Sequence, residues 1–334
     1  MTSQNKMFHL KASSVRWSAG QPGPVIRPGQ LHGALDARRA GAAHVLRMGE
    51  RYRLYYWATG EDGRHRICAA ESDPKTPNEW LSLGCVLECQ PESVYNHVGP
   101  GFPMVVTPPS GPWLMYFGAW GKPRADGKLP NTTGLALSYE CGRTWEHWSD
   151  RPVLPLDRPY DREGTGSVWV LQEDGLFRMY NTAIGQYFAR PEGVRTGHGD
   201  VIPRIGIGYA TSRDGIRWEK PFDHLLIAPR GFDTAPYEYI CSKACVVREK
   251  DGYRMWVNTF GTAYRVRELW SCDGLDWHWL PDGPDGVLGV GPDGAFDDHQ
   301  RCYLSVLKEG DEYRGWFTGN GFGASGTGYA VGTL

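Results

Sequence analysis

Residues 244–256 read Ala244-Cys-Val-Val-Arg-Glu-Lys-Asp-Gly-Tyr253-Arg-Met-Trp256, an apolar run, a glycine turn and a second run in which large apolar and polar residues alternate. Alternation with a period of two is typical of a β-strand. An Asp-Gly pair between two such runs is a strong hairpin signal, because the turn needs positive φ angles. The stretch therefore predicts a β-hairpin with one buried face.

The same phrase occurs five times, and its other copies span residues 44–57, 103–117, 167–180 and 303–317. A Gly- and Ala-rich strand, a turn and a strand carrying tryptophan follow the first four copies. The fifth copy lacks its tryptophan strand, but Val15-Arg-Trp17 at the other end of the sequence has the matching pattern. These repeats predict an all-β, five-bladed β-propeller with four-stranded antiparallel blades. We expect one domain over residues 1–334, its ring closed by an N-terminal strand around 13–27.

The composition excludes several classes of function. Lys and Arg number 36 against 38 Asp and Glu, so no basic excess drives nucleic-acid binding. No apolar run approaches the roughly 18 residues of a membrane span. The first residues lack the apolar stretch of a secretion signal, which predicts a cytoplasmic protein. In that reducing compartment the eight cysteines are expected to be buried thiols rather than disulfides.

The repeated phrases, together with turns such as Ser212-Arg-Asp-Gly-Ile-Arg-Trp218, resemble those of the five-bladed propeller glycoside hydrolases. That group includes the arabinanase/β-xylosidase, invertase/levansucrase and β-mannoside phosphorylase types. The resemblance covers essentially the whole chain at the level of repeats. It implies a central funnel in which carboxylates at the starts of the inner strands act on a glycosidic bond. It implies no organic cofactor, and a channel-bound cation such as Ca²⁺ is left open.

Acidic residues stand just upstream of four predicted inner strands. Glycosidic cleavage needs two carboxylates, one to protonate the leaving oxygen and one to act as nucleophile or base. Glu163 is followed by Gly164, a pair that resembles the general-acid element of the arabinanase group, and is the predicted proton donor. Asp36 or Asp298 is the predicted base or nucleophile, and Glu238 is a further catalytic candidate. The alternative role of each is to pair with a nearby cation or to hold a loop.

Basic and aromatic residues near the same strand starts are predicted to bind the substrate. They are Arg39, His97, Trp120, Tyr237, Lys243, His299 and Arg301. The cations either pair with the acids or meet an anionic group of the substrate, such as a uronate or a phosphate, and the aromatic rings stack on a sugar.

Two alternatives to a glycoside hydrolase therefore stay open. One is a phosphorylase or another non-hydrolytic enzyme acting on an anionic sugar. The other is a non-catalytic carbohydrate-binding propeller. No metal-ligating set is predicted, and the partner is a small carbohydrate or glycoside. The sugar, the linkage and the oligomeric state are not fixed by the sequence.

Overall fold

The computed structural model describes residues 12–231 and 234–334. This part of the chain holds nineteen β-strands, a 3-10 turn at Gly33–Leu35 and a short helical turn at Asn320–Gly323. The strands are β1 (Arg16–Ala19), β2 (Arg39–Met48), β3 (Arg51–Thr59), β4 (His65–Ser72), β5 (Leu81–Leu87), β6 (Gly99–Val106), β7 (Trp113–Trp120), β8 (Asn131–Ser138), β9 (Glu146–His147), β10 (Gly164–Glu173), β11 (Leu176–Ala189), β12 (Val201–Ser212), β13 (Ile240–Glu249), β14 (Gly252–Phe260), β15 (Tyr264–Ser271), β16 (His278–Trp279), β17 (Cys302–Glu309), β18 (Glu312–Thr318) and β19 (Thr327–Thr333). None of the helical segments in the described ranges has the length and apolar character needed to cross a bilayer.

The strands form antiparallel sheets, which confirms the all-β prediction. Three sheets have four strands, in the orders β2-β3-β4-β5, β6-β7-β8-β9 and β1-β19-β18-β17. The fourth runs from β10 to β16, and a single parallel pair, Ile205 with Ile240, joins β12 to β13 within it. Strand β1 pairs antiparallel with β19, so segments from the two ends of the described chain share one sheet.

The five repeats of the hairpin phrase begin on strands that contact one another in a closed cycle. Strand β2 contacts β6, β6 contacts β10, β10 contacts β13, β13 contacts β17, and β17 returns to β2. We call these the inner strands. Each one has a break in its pairing with the following strand, after its first, second or third residue. A bulge at the same place in every inner strand bends the strand and re-aims a side chain.

Tyrosine hydroxyls link neighbouring repeats. The second strand of a repeat carries a buried tyrosine whose hydroxyl donates to the carbonyl of the turn glycine in the next repeat. The pairs are Tyr55 with Gly142 (2.8 Å), Tyr116 with Gly215 (2.6 Å) and Tyr180 with Gly274 (2.9 Å). Gly215 has φ +74°, and a Cβ there would lie 2.9 Å from the Tyr116 hydroxyl, so the turn needs glycine for its conformation and for its contact.

We expect Tyr116→Phe to lower the free energy of unfolding by about 1 kcal/mol, because the buried Gly215 carbonyl loses its donor. Urea unfolding measures the change. Tyr139→Phe is the matched control, since the Tyr139 side chain is 72% exposed. Equal stabilities of the two variants would show that the hydroxyl contributes nothing to holding the repeats together.

The cysteine expectation was wrong for one pair. Cys68 on β4 and Cys85 on β5 are joined by a disulfide, because a register shift between these strands sets them opposite each other. The other six cysteines are free thiols, as expected. Cys241, Cys245 and Cys302 are buried, but Cys89 and Cys272 are half-buried and Cys141 is exposed, so the expected burial was wrong for Cys141.

Candidate functional site

A cavity of about 260 Å³ lies where the inner strands meet, and we call it the axial cavity. Its wall combines aromatic rings and aliphatic side chains with a few hydroxyl and amide groups and one lysine. The lining residues are Trp57, Phe102, Trp120, Asn131, Gly166, Ser167, Thr182, Ile184, Ile205, Ile240, Ser242, Lys243, Tyr264, Tyr303 and Phe322. A concave, mostly apolar site with a few convergent polar groups is typical of a small-molecule site.

The bulges of the inner strands deliver residues to this wall. Ala42, Phe102, Lys243 and Tyr303 occupy equivalent bulge positions with φ of 47°, 50°, 43° and 54°, and Gly166 stands at the bulge of β10. All of these except Ala42 line the axial cavity. Positive φ is uncommon for residues other than glycine, so the surrounding sheets must hold these positions in place.

An aromatic wall occupies one side of the axial cavity. Trp120, predicted to bind substrate, stacks on Trp57 with ring centroids 4.8 Å apart, and Phe102 packs against both. Tyr303 meets Phe102 edge-on at 4.8 Å. The indole Nε1 of Trp57 and the side-chain oxygen of Asn131 are buried and lack a hydrogen-bond partner among the described residues. The wall therefore offers flat apolar faces beside one unused donor and one unused acceptor.

Among the described residues that line the axial cavity, Lys243 is the one with a cationic side chain. It is 4% exposed, and its ammonium group forms no hydrogen bond or ion pair within residues 12–231 and 234–334. Burial lowers the pKa of Lys243, and burial raises the pKa of the neighbouring thiols Cys245 and Cys302. None of the described lining residues carries a carboxylate. A buried cation without a counter-charge is costly, so an anion placed there would be bound favourably.

Arg39 adds a second positive group close to the aromatic wall. Its guanidinium carbon lies 4.2 Å from the ring centroid of Trp57. His65 stands edge-on to Trp57 and Trp120 at 5.0 and 4.7 Å. Burial, and then the charge of Arg39, lower the pKa of His65 to about 4, so the imidazole is neutral near pH 7.

Glu163 neighbours the axial cavity through its backbone. It immediately precedes β10, and its backbone N–H donates to the carbonyl of Ile184, which lines the cavity. Its half-buried carboxylate accepts a hydrogen bond from Arg124 at 3.1 Å. The alternative partner considered from the sequence, Arg162, instead donates to the carbonyl of Gly185.

Asp36 is fully buried and lies outside the lining of the axial cavity. Its carboxylate accepts from the Tyr56 hydroxyl at 2.7 Å and from the backbone N–H of His32 at 3.3 Å. Burial and the charge of Asp36 both raise the pKa of Tyr56, so the phenol stays protonated and keeps donating. In this arrangement Asp36 holds the loop before β2.

Glu238 is buried in an ion-pair network. It accepts from Arg230 and Arg267, each at 2.8 Å, and from the Thr259 hydroxyl at 2.9 Å. Burial opposes ionisation of Glu238, but the two arginines outweigh it and leave the pKa of the carboxyl below its usual value. The Glu238 carboxylate is therefore engaged by Arg230, Arg267 and Thr259, which is the ion-pairing alternative to a catalytic role.

Asp298 and its neighbours lie in the loop before β17. Asp298 accepts from the Asn320 side chain at 2.7 Å and from the backbone N–H of Gly294 at 2.8 Å, and these bonds hold its pKa below the usual value. The side chain of His299 is 85% exposed. Arg301 donates to Asp297 at 2.7 Å, which is the ion-pairing alternative for this cation.

The remaining predicted residues are dispersed. The ring of His97 donates through Nδ1 to the carbonyl of Pro91 at 2.5 Å. Tyr237 lines a separate outer cavity of about 510 Å³, beside Tyr239, Arg204 and Phe188. Of the eleven predicted site residues, Trp120 and Lys243 thus line the axial cavity and Glu163 adjoins it.

Sequence reasoning missed Phe102, Tyr264, Tyr303 and Phe322. A signal for two of them was present. A step of seven or nine residues back from the turn glycine of each hairpin reaches the bulge position, and Gly111 and Gly310 then lead to Phe102 and Tyr303. The other two rings come from β15 and the helical turn, which the repeat does not mark.

Buried His44 makes stability depend on pH. Burial, and then the charge of Lys243, lower the pKa of His44 to about 3 in the folded state. The unfolded chain takes up this proton near pH 6.5. The stabilising contribution of neutral His44 is therefore complete above about pH 6.5 and is lost as the pH falls towards 3.

We expect the slope of unfolding free energy against pH between 6.5 and 5 to decrease in His44→Gln by up to about 1.4 kcal/mol per pH unit. Urea unfolding across that range measures the slope. His224→Gln removes an exposed imidazole and should keep the native slope. A native slope in both variants would contradict the assignment.

Comparison with solved structures identifies the fold. A structure described as "Glycoside hydrolase" matches with a TM-score of 0.71 at 18% identity, over 100% of this chain and 95% of that one. A thermostable family-43 glycoside hydrolase matches with a TM-score of 0.63 at 18% identity, over 92% and 91% of the two chains. A structure from the GH130 family of mannoside phosphorylases gives 0.66 at 13% identity, over 96% and 93%. The structural neighbours are thus propeller-type glycoside hydrolases, as the sequence resemblance indicated, and at these identities the likeness is one of fold.

Comparison of sequences gives nearer relatives. No family model matches the chain. Two proteins of Mycobacterium tuberculosis, "Uncharacterized protein MT1551" of strain CDC 1551 / Oshkosh and "Uncharacterized protein Rv1502" of strain ATCC 25618 / H37Rv, are each 31% identical to it. The alignments cover 306 and 309 residues, which is 90% of this chain and 95% of each relative. The chain therefore belongs to the family of these two mycobacterial proteins.

Proposed function

We propose that the protein is an enzyme that cleaves or transfers at a glycosidic bond, with a sugar ring bound in the axial cavity. The single observation that carries the proposal is the composition of that cavity. Its lining includes the partly exposed rings of Trp120 and Phe322, which a sugar ring can contact, and the Trp57 N–H and the Asn131 oxygen have no hydrogen-bond partner among the described residues. The neighbouring folds support the same class of substrate.

We further propose that the fold is a five-bladed propeller closed by β1. The closed cycle of five inner strands supports this arrangement, with β10–β12 and β13–β16 as separate blades joined by one parallel pair. The antiparallel pairing of β1 with β19 supports closure by the N-terminal strand. Such an arrangement makes the axial cavity the funnel in which propeller enzymes bind substrate.

Glu163 is the proposed proton donor. Its backbone N–H donates to the carbonyl of Ile184, a residue of the cavity wall. Its ion pair with Arg124 is partly exposed, with side-chain exposures of 26% and 41%, and a pair of this kind is worth about 0–1 kcal/mol. A substrate that reaches Glu163 can therefore replace Arg124 as its partner at small cost.

The second catalytic group separates two forms of the proposal. Hydrolysis needs a second carboxylate as base or nucleophile, for which Asp36 and Asp298 are the proposed residues. Neither belongs to the cavity wall. The uncompensated Lys243 favours the second candidate, an enzyme whose substrate carries a carboxylate or phosphate, or whose attacking group is inorganic phosphate. In that form the anion itself, held by Lys243, takes the place of the missing negative group.

A turnover screen tests the proposal. The purified protein is incubated with aryl glycosides of neutral sugars and of uronic acids, each with and without inorganic phosphate, and released aglycone and sugar phosphate are measured. Turnover without phosphate supports a hydrolase, and sugar 1-phosphate formed only with phosphate supports a phosphorylase. Sugar binding without turnover of any compound in the screen would overturn the proposal that the protein is an enzyme. The alternative of a non-catalytic carbohydrate-binding propeller would then remain.

A further inference from the structure

Three groups that bind soft metal ions meet at the β4–β5 edge of the first sheet. One ligand atom of His32 and the sulfur atoms of Cys68 and Cys85 all lie within 4.8 Å of one another. His32 comes from the loop before β2, whereas the cysteines are cross-strand neighbours. Cys68 is fully buried, and His32 and Cys85 are half-buried. We call these three residues the Cys-Cys-His cluster, and it shares no residue with the lining of the axial cavity.

The two ring nitrogens of His32 have different surroundings. Its Nδ1 lies 3.0 Å from the Ser82 hydroxyl oxygen. When Nδ1–H donates to that oxygen, the lone pair of the ring is on Nε2, which is buried and has no hydrogen-bond partner in the described part of the chain. The Ala69 carbonyl lies close to the ring as well. Metal-binding histidines commonly donate their second ring N–H to an oxygen in this way, which fixes the tautomer.

We propose that Cys68 and Cys85, when reduced, bind a Zn²⁺ ion together with His32. Two thiolates and one imidazole are a known zinc donor set, and the fourth tetrahedral position would take a water molecule. Sulfur atoms on one tetrahedral zinc are about 3.8 Å apart, given Zn–S bonds of about 2.3 Å. The two sulfur atoms, bonded to each other in the disulfide, move apart to that spacing on reduction, and the ligand atom of His32 lies within 4.8 Å of both. The two thiolates neutralise the charge of Zn²⁺. The zinc-bound cluster therefore has no net charge, and its partial burial does not bury an uncompensated ion.

Zinc binding and the disulfide exclude each other, which makes the site dependent on redox state. A dithiol reductant supplies two electrons and two protons, the S–S bond breaks to give two thiols, and the reductant becomes a disulfide. Zn²⁺ then forms two Zn–S bonds and one Zn–N bond while both thiol protons leave to solvent. A small-molecule disulfide reverses the sequence: it takes two electrons from the thiolates and two protons from solvent to become two thiols, the S–S bond re-forms and Zn²⁺ is released to solvent. The Cys-Cys-His cluster thus has two alternative states. When oxidised it contains the Cys68–Cys85 disulfide, and when reduced it binds Zn²⁺.

Cobalt titration of the full chain tests this proposal. The protein is reduced with a phosphine under anaerobic conditions, the phosphine is removed, and Co²⁺ is added as a spectroscopic probe. We expect a sulfur-to-cobalt charge-transfer band that saturates at one ion per chain and disappears when Zn²⁺ is added. The untreated, oxidised protein should show no such band. Equal bands in the two forms, or no saturable band in the reduced form, would overturn the proposal.

Variants assign the ligands. Cys85→Ser should abolish the charge-transfer band from that sulfur and weaken binding by at least roughly 100-fold, since an outer partner alone is worth 10- to 100-fold. His32→Gln keeps both thiols and should weaken binding without removing the sulfur band. Cys141→Ser, which removes an exposed free thiol outside the cluster, should bind like the native chain. Circular dichroism on each variant confirms folding, and native affinity in a folded Cys85→Ser or His32→Gln would refute the assignment.

Discussion

Glu163→Gln is expected to lower kcat on any glycoside that the native protein turns over by roughly 100- to 10,000-fold, the contribution of a positioned general acid. Glutamine keeps the shape of the side chain and removes the proton that the leaving oxygen requires. Because the aromatic wall and Lys243 are untouched, the dissociation constant of the sugar should stay within about twofold of the native value. Steady-state kinetics and calorimetry measure the two quantities separately.

The control for Glu163 is an exposed carboxylate away from the axial cavity. Glu92→Gln carries the same chemical change at an exposed position outside the axial cavity, and its kcat should equal that of the native protein. Glu163 would be excluded as the acid by a kcat within threefold of native, provided that the native protein shows turnover. A substrate with a good leaving group, which needs little protonation, should reduce the defect of Glu163→Gln and so identify the step.

Lys243→Met is expected to have two opposite effects. Affinity for a uronate or for inorganic phosphate should fall by roughly 10- to 150-fold, the worth of a hydrogen bond to a charged group. The free energy of unfolding should rise by about 1 kcal/mol or more, because an apolar side chain of similar length replaces a buried, unpaired cation. Calorimetry with glucuronate and phosphate, and urea unfolding of the ligand-free protein, measure the two effects.

Two comparisons separate charge from shape at Lys243. Affinity for a neutral sugar such as glucose should fall much less in Lys243→Met than affinity for glucuronate, since a hydrogen bond to an uncharged hydroxyl is weaker than one to a carboxylate. Lys75→Met removes an exposed lysine and should change neither quantity. An equal loss of neutral and anionic sugars would show that residue 243 shapes the wall rather than binding an anion. Stability that falls in Lys243→Met would show that the native lysine has a counter-charge.

The repeat allowed the strands to be predicted because each hairpin carries its own signal. Alternating aromatic residues and Asp-Gly turns are local, so they mark β13 and β14 without reference to the rest of the chain. The bulge position is also periodic, which is why counting back from the turn glycines reaches Gly166 and Lys243. The pairing of β5 has no such mark, because two register shifts interrupt it, and the Cys68–Cys85 pair could not be predicted.

The acidic candidates show where local reasoning stops. Glu238 stands upstream of an inner strand as a catalytic acid would, but its partners Arg230 and Arg267 come from a preceding loop and from β15. Asp36 is engaged by Tyr56, twenty residues further on. Whether a loop carboxylate faces a cavity or an arginine depends on how neighbouring repeats pack. The sequence alone therefore does not predict which of these carboxylates face the cavity.

The pairing of β1 with β19 has a consequence for biosynthesis. Arg16 pairs with Thr333, so more than 300 residues separate the two strands along the chain. At about 5–20 residues per second, the ribosome completes β19 roughly 15–60 s after β1 has been made. During that interval β1 has no native partner, because it pairs with β19. Strand β18 likewise has not yet paired with β19. The first described strand therefore gains its native partner only after the last described strand has been made.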